Sequence, residues 1–214
     1  MVDFERKDVY TTDDLLKIME ILRSPEGCPW DRAQTHKSVR ANFIEETYEA
    51  IEAIDTEDRE LLKEELGDVL LQVVLHSQME KEAGSFTFEE VVDGVAQKLV
   101  YRHPHVFGDV NASNEAEALK SWDDAKQKSK QQKTHTQVLQ SVSRALPALI
   151  RSEKVQKKAA KAGFDWPDVQ GAMEKVAEEL EEVRAAAAEG NPQACMDEVG
   201  DLLFAAVNVA RFLH

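Results

Sequence analysis

Along most of the chain, apolar residues recur at intervals of three and four, the period of an amphipathic helix. Strand-type alternation is nearly absent. The pattern predicts helices over about 12–23, 38–55, 58–82, 87–103, 115–130, 144–162, 168–189 and 193–213, and hence an all-α protein. Thr11 or Thr12 is placed to cap the first helix, and Thr87 stands before Glu89 and Glu90 in the manner of a helix start. The stretch DDAKQKSKQQKTHTQ, residues 123–137, has almost nothing to bury and reads as a linker or a solvated helix end.

The pattern occurs twice. A shift of 133 residues lays FIEETYEA (43–50) on VAEELEEV (176–183), and EELGDVLL (64–71) on DEVGDLLF (197–204), without a gap. Glu49 to Glu65 is 16 residues, and so is Glu182 to Glu198. One helix pair at matched spacing in both halves implies two modules. The expected organisation is a first module over 1–110, a polar segment over 111–140 and a second module over 141–214.

Within each pair the acids fall on the wrong side for solvation. At 100° per residue, Val39, Phe43, Ala50 and Ala53 lie within about 60° of Glu46, and Ile51 and Ile54 extend that apolar face. Glu49 sits at its edge, whereas Glu45 and Glu52 fall outside it. Glu179 is likewise flanked by Ala172, Val176, Val183 and Ala186, with Glu182 beside it. Glu65 and Asp68 share one face of the partner helix, which runs nearly all-apolar from Val69 to Leu75 and is expected to be buried. Gly67 and Gly200 cost helix stability, about 1 kcal/mol relative to alanine. They suggest close approach by a backbone or ligand, with helix packing a nearly equal explanation.

Antiparallel packing of the first pair brings Glu46, Glu49, Glu65 and Asp68 together. Four carboxylates in a partly dry site repel by several kcal/mol, so either some are protonated or a cation sits among them. Oxygen-only ligation favours Mg²⁺, with Mn²⁺ the alternative. A di-iron bundle would need Glu-x-x-His, and none of the six histidines follows a glutamate by three.

Composition narrows the reading further. A net charge of −15 argues against general nucleic-acid binding. The absence of a long apolar run or an N-terminal h-region leads to the expectation of no membrane span and no signal peptide. Cys28 and Cys195 form no CxxC and imply neither a disulfide framework nor a zinc site, so a cytoplasmic protein is expected.

Several longer motifs then carry a resemblance. Glu45, Glu46 and Glu49 followed by Glu65 and Asp68, with GCPWD (27–31), ELGDVLLQVV (65–74), RHPHVFGDV (102–110) and KAGFDW (161–166), resemble the MazG family of all-α nucleoside triphosphate pyrophosphohydrolases over essentially the whole chain. The resemblance implies Mg²⁺-dependent hydrolysis of nucleoside triphosphates to monophosphate and pyrophosphate, in nucleotide-pool house-cleaning, by a homodimer of helical modules. It implies metal ligation by Glu46, Glu49, Glu65 and Asp68 in one module and by Glu179, Glu182, Glu198 and Asp201 in the other. Glu45 or Glu178 is a candidate general base. Lys175 matches a phosphate-contacting lysine, against the plain alternative of an ion pair with Glu179. Lys98 and Arg102 resemble a phosphate-binding Lys-x-x-x-Arg, while His103 and His105 are read as capping and packing residues. Trp30 and Trp166 are candidates to stack on a base, although core packing is the commoner use of tryptophan.

The second copy departs from the first. It has no counterpart of Lys98 and Arg102, and Ala194 stands where the family often has lysine, so it is expected to lack its last helix and part of its phosphate grip. A nucleotide- and metal-binding regulatory or assembly protein with little turnover is the alternative function, and a plain helical scaffold the third.

Overall fold

The computed structural model describes residues 4–129 and 134–213. Its helices are α1 (Thr12–Arg23), α2 (Pro29–Ala33), α3 (Arg40–Asp55), α4 (Arg59–Glu82), α5 (Phe88–Arg102) and α6 (Pro104–Phe107), then α7 (Glu115–Ser129), α8 (His135–Gln140), α9 (Ala148–Lys161), α10 (Val169–Ala188) and α11 (Pro192–Leu213). Among the described residues there is no strand. No described helix is long and apolar enough to cross a membrane. Two compact units divide the chain, Met1–Val110 and Asn111–His214.

Local chemistry explains where the helices begin. Thr11 and Asp14 form a capping box on α1, Thr87 and Glu90 on α5, and Thr134 and Gln137 on α8. Asp58 accepts from the Glu60 and Leu61 amides at the start of α4, and Asp168 from the Gln170 amide at the start of α10. One difference from the predicted bounds has a physical cause. Residue 144 is not helical; α9 begins at Ala148, after Pro147, a residue that disfavours helix in the position before it. The polar stretch 123–137 is helical over most of its length, since α7 runs to Ser129 and α8 starts at His135; residues 130–133 lie outside the described part.

In the first unit, α3 packs on α4, which also meets α1 and α5. The core gathers Met19, Val39, Val74, Leu75 and Met79, with Leu15, Leu16, Leu71 and Phe88 against it. Arg23, nearly buried, grips Glu82 with two hydrogen bonds of 2.9 Å and donates to the Asp31 carbonyl at 2.6 Å, so that one guanidinium ties α1, α2 and α4. In the second unit α10 packs along α11 through small residues, Ala172, Ala186 and Ala205 being buried, and α9 lies against α11. There the Gln156 side-chain amide donates to the Phe204 carbonyl at 2.7 Å.

One expectation about the apolar stripe is corrected. Val39, Ala50 and Ala53 are buried as predicted, but Ile51 and Ile54 are 43% and 57% exposed. Together with Ile44 and Tyr48 they form an uncovered face, continued on α4 by exposed Leu66 and Leu70. The second unit shows the same property at Met173 and Leu180 of α10 and at Met196, Val199 and Leu203 of α11.

The glycines separate into two kinds. A Cβ on Gly27 would lie 2.0 Å from the Ile21 carbonyl oxygen and 2.5 Å from that of Leu22, so the loop before α2 closes only on a bare α-carbon. A Cβ on Gly67 or Gly200 would meet nothing within 4 Å, which removes packing inside the described chain as the reason for these two. Gly27→Ala is therefore expected to destabilise the chain by about 2 kcal/mol or more. Gly67→Ala and Gly200→Ala should each stabilise it by about 1 kcal/mol. Denaturant titration of the three variants measures both signs.

Candidate active site

The acids stand on the faces of the two helix pairs that the periodicity assigned to them. Asp55 ends α3 and Arg59 starts α4, so the connection is short and the chain doubles back. Burial raises the pKa of both Glu46 and Glu65 above the ordinary 4.5; after it, Asp68 acts most on Glu46 and Glu49 most on Glu65. Acids of α3 and α4 thus act on one another across the helix pair. Carboxylate oxygens of Glu46, Glu49 and Glu65 all lie within 4.8 Å of one another. Glu65 is buried and Asp68 half-buried, while Glu45 is exposed.

The second unit repeats the arrangement with one addition. Oxygens of Glu179, Glu182 and Glu198 lie within 4.8 Å of one another, with Glu179 buried. Asp201, one turn beyond Glu198 on α11, is exposed. Lys175 Nζ reaches Glu179 at 2.5 Å and Glu178 at 2.9 Å. Its hydrogen bond pulls the Glu179 pKa down, overcoming burial, and the same contacts hold Lys175 well above the usual lysine range. The hydrogen bond with Glu179 raises Glu182, which is then the partner that keeps its proton longer. Asn42 occupies the position corresponding to Lys175 in the first copy, so no ammonium comes from α3.

Each trio offers only carboxylate oxygens. Ligand oxygens about 2.0–2.1 Å from Mg²⁺ stand up to about 4.2 Å apart across the ion. The three oxygens of either trio, all within 4.8 Å of one another, are near enough to converge on one ion, and the donor set suits a hard divalent cation.

The other candidate residues are distributed as follows. Lys98 is exposed and Arg102 half-buried, four residues apart on α5, which packs on α4. His103 Nδ1 bonds the Leu99 carbonyl at 2.6 Å where α5 ends, a capping contact. Trp30 on α2 is 62% exposed. Trp166 lies over the first turn of α10: a Cβ on Gly171 would come within 2.8 Å of its ring. The periodic reading missed Asp165, which pairs with Arg211 through both guanidinium nitrogens and so ties the loop before α10 to α11. Its place inside GFDW was the available signal.

Two tandem all-α units each hold a carboxylate cluster across an antiparallel helix pair, and comparison with known proteins places such units among the nucleotide pyrophosphohydrolases. The MazG nucleotide pyrophosphohydrolase domain family matches residues 34–107, and the phosphoribosyl-ATP pyrophosphohydrolase family matches residues 150–211. The chain is 46% identical over 202 residues to the nucleoside triphosphate pyrophosphohydrolase/pyrophosphatase MazG of Thermotoga maritima, a match covering 94% of this chain and 76% of that one. It is 45% identical over 204 residues to the nucleoside triphosphate pyrophosphohydrolase of Escherichia coli K12, covering 94% and 78%. An uncharacterised protein of Bacillus subtilis, YabN, is 50% identical over 196 residues, which are 91% of this chain and 40% of YabN. The chain belongs to the MazG family and is a pyrophosphohydrolase.

The raised pKa values of Glu46 and Glu65 fix the sign of a pH effect. Carboxyls whose pKa is raised on folding bind protons more readily in the folded chain, so their contribution to stability is present below about pH 4.5 and is lost as pH rises through the raised values. In chelator, Glu46→Gln and Glu65→Gln should therefore raise Tm at pH 7 to 8, with an advantage that shrinks on acidification towards pH 4.5. Thermal melts across that range, with wild type alongside, give the comparison; an advantage independent of pH contradicts the clustering.

Proposed function

We propose that this protein hydrolyses nucleoside triphosphates to monophosphate and pyrophosphate with Mg²⁺ as cofactor (Mn²⁺ as a substitute), cleaning the cytoplasmic nucleotide pool. The observation that carries this reading is the pair of carboxylate trios at matching positions of a sequence repeat. The relatives' names point to the same substrate class.

In this reading Glu46, Glu49, Glu65 and Asp68 hold one ion and Glu179, Glu182, Glu198 and Asp201 another. When bound, the ion supplies charge neutralisation on the phosphates and a water of lowered pKa. Glu45 and Glu178, exposed beside the buried acids, are the proposed bases for that water. Lys175 leaves its carboxylate partners for the substrate's phosphates, and Lys98 and Arg102 serve the first module in the same way. Trp30, the more exposed tryptophan, is the better candidate for base stacking, while Trp166 is already engaged with Gly171. A second copy of the chain covers the apolar face of Ile44, Tyr48 and Ile51, making a homodimer; large exposed apolar patches of this kind mark interaction surfaces.

Pyrophosphate release with Mg²⁺ tests the enzymatic reading. The double variant Glu49→Ala/Glu182→Ala should lose activity about hundredfold, some 2.7 kcal/mol of barrier, and the single variants show which module turns over. Orthophosphate as the product, or undiminished turnover in the double variant, rules the reading out. For the dimer, sedimentation equilibrium should give twice the 24.1 kDa chain mass, and Ile51→Glu should return it to one chain.

A further inference from the structure

In an acidic chain, one cavity is lined by lysine. It opens among α7, α8 and α9 of the second unit, has a volume of about 310 Å³, and brings together Lys126, Lys154, Lys157, Lys158 and Lys161 with His135. Four of the five lysines come from α9, at positions i, i+3, i+4 and i+7, which is one face of a helix. α7 brings Lys126 and α8 brings His135. We propose that this cavity is a binding site for a small oligophosphate, separate from the carboxylate sites and independent of a divalent ion.

The local charge is only partly balanced. Lys157 pairs with Glu153 on its own helix and Lys161 with Asp123 of α7, each at 2.5 Å. Lys158 donates to the Val138 carbonyl at 3.1 Å and the Ser141 hydroxyl at 3.2 Å, fixing the end of α8, and Lys126 lies over the Trp122 ring. Among the described residues that line the cavity, Asp123 is the carboxylate beside five lysines, in a chain whose net charge is −15. Like charges on one helix face repel, and a bound polyanion relieves that repulsion.

The shape of the site selects the ligand. A concave site of about 310 Å³ admits a compact anion and is too small for a duplex. Among the described residues no Phe, Tyr or Trp lines it, and Val138 and Ala162 are its apolar residues. Recognition therefore falls on a chain of phosphates and not on a base. Two sources share that chemistry, inorganic pyrophosphate or polyphosphate and the triphosphate tail of a nucleotide. The cavity shares no residue with the trio of Glu179, Glu182 and Glu198.

Titration calorimetry of the whole chain in chelator tests this, because without a divalent ion the clustered carboxylates of the other sites repel phosphate. Inorganic pyrophosphate and tripolyphosphate should each bind once per chain, more weakly as salt is raised. Lys154 and Lys157 are exposed, so Lys154→Glu/Lys157→Glu should fold as the wild type does by circular dichroism and bind at least tenfold more weakly. Lys154→Gln alone should give a smaller loss. ATP binding as tightly as tripolyphosphate assigns the site to a nucleotide tail; ATP at least tenfold weaker assigns it to the inorganic anion. The proposal is overturned by absence of binding, by binding unchanged in the double variant, by binding lost in Glu49→Gln/Glu182→Gln, or by a short DNA duplex outcompeting tripolyphosphate.

Discussion

Carboxylates that would separate in water are held together here by the packing of two helices. Ala50 and Ala53 on α3, Val39 just before it, and Val74 and Leu75 on α4 are buried, and Glu46, Glu49 and Glu65 must then share a space less than 5 Å across. Hydrophobic burial supplies the force, and charge repulsion is what it works against. The helix start at Asp58 matters because it closes the short turn from which α4 runs back along α3.

Repetition did not make the two modules equal. In the first, burial and mutual repulsion both raise Glu46 and Glu65, and no cation of α3 offsets them. In the second, Lys175 supplies a positive charge beside Glu179, and the strain is moved onto Glu182. A single difference, asparagine against lysine, changes how each half carries the same cluster.

The long helices were legible because each spans several turns of unbroken period, and the acids because they interrupted that period on its buried side. Helices α2, α6 and α8 are six residues or fewer, too short to display a period, and went unseen. The exposure of Ile51 and Ile54 was hidden for another reason. An apolar stripe states that a face avoids water, not which body covers it. Lys175 was left between two readings since the spacing i,i+4 serves an ion pair and a phosphate contact equally; coordinates place it against Glu179. The lysine face of α9 was in plain view as KVQKKAAK, yet its meaning depends on α7 and α8 closing over it.

The ammonium of Lys175 already sits where positive charge is needed in the second module. If each cluster holds an ion as proposed, that ion would displace a resident countercharge in the second module and none from α3 in the first. One side chain would then grade the halves of this chain in affinity, the earlier filling ahead of the later.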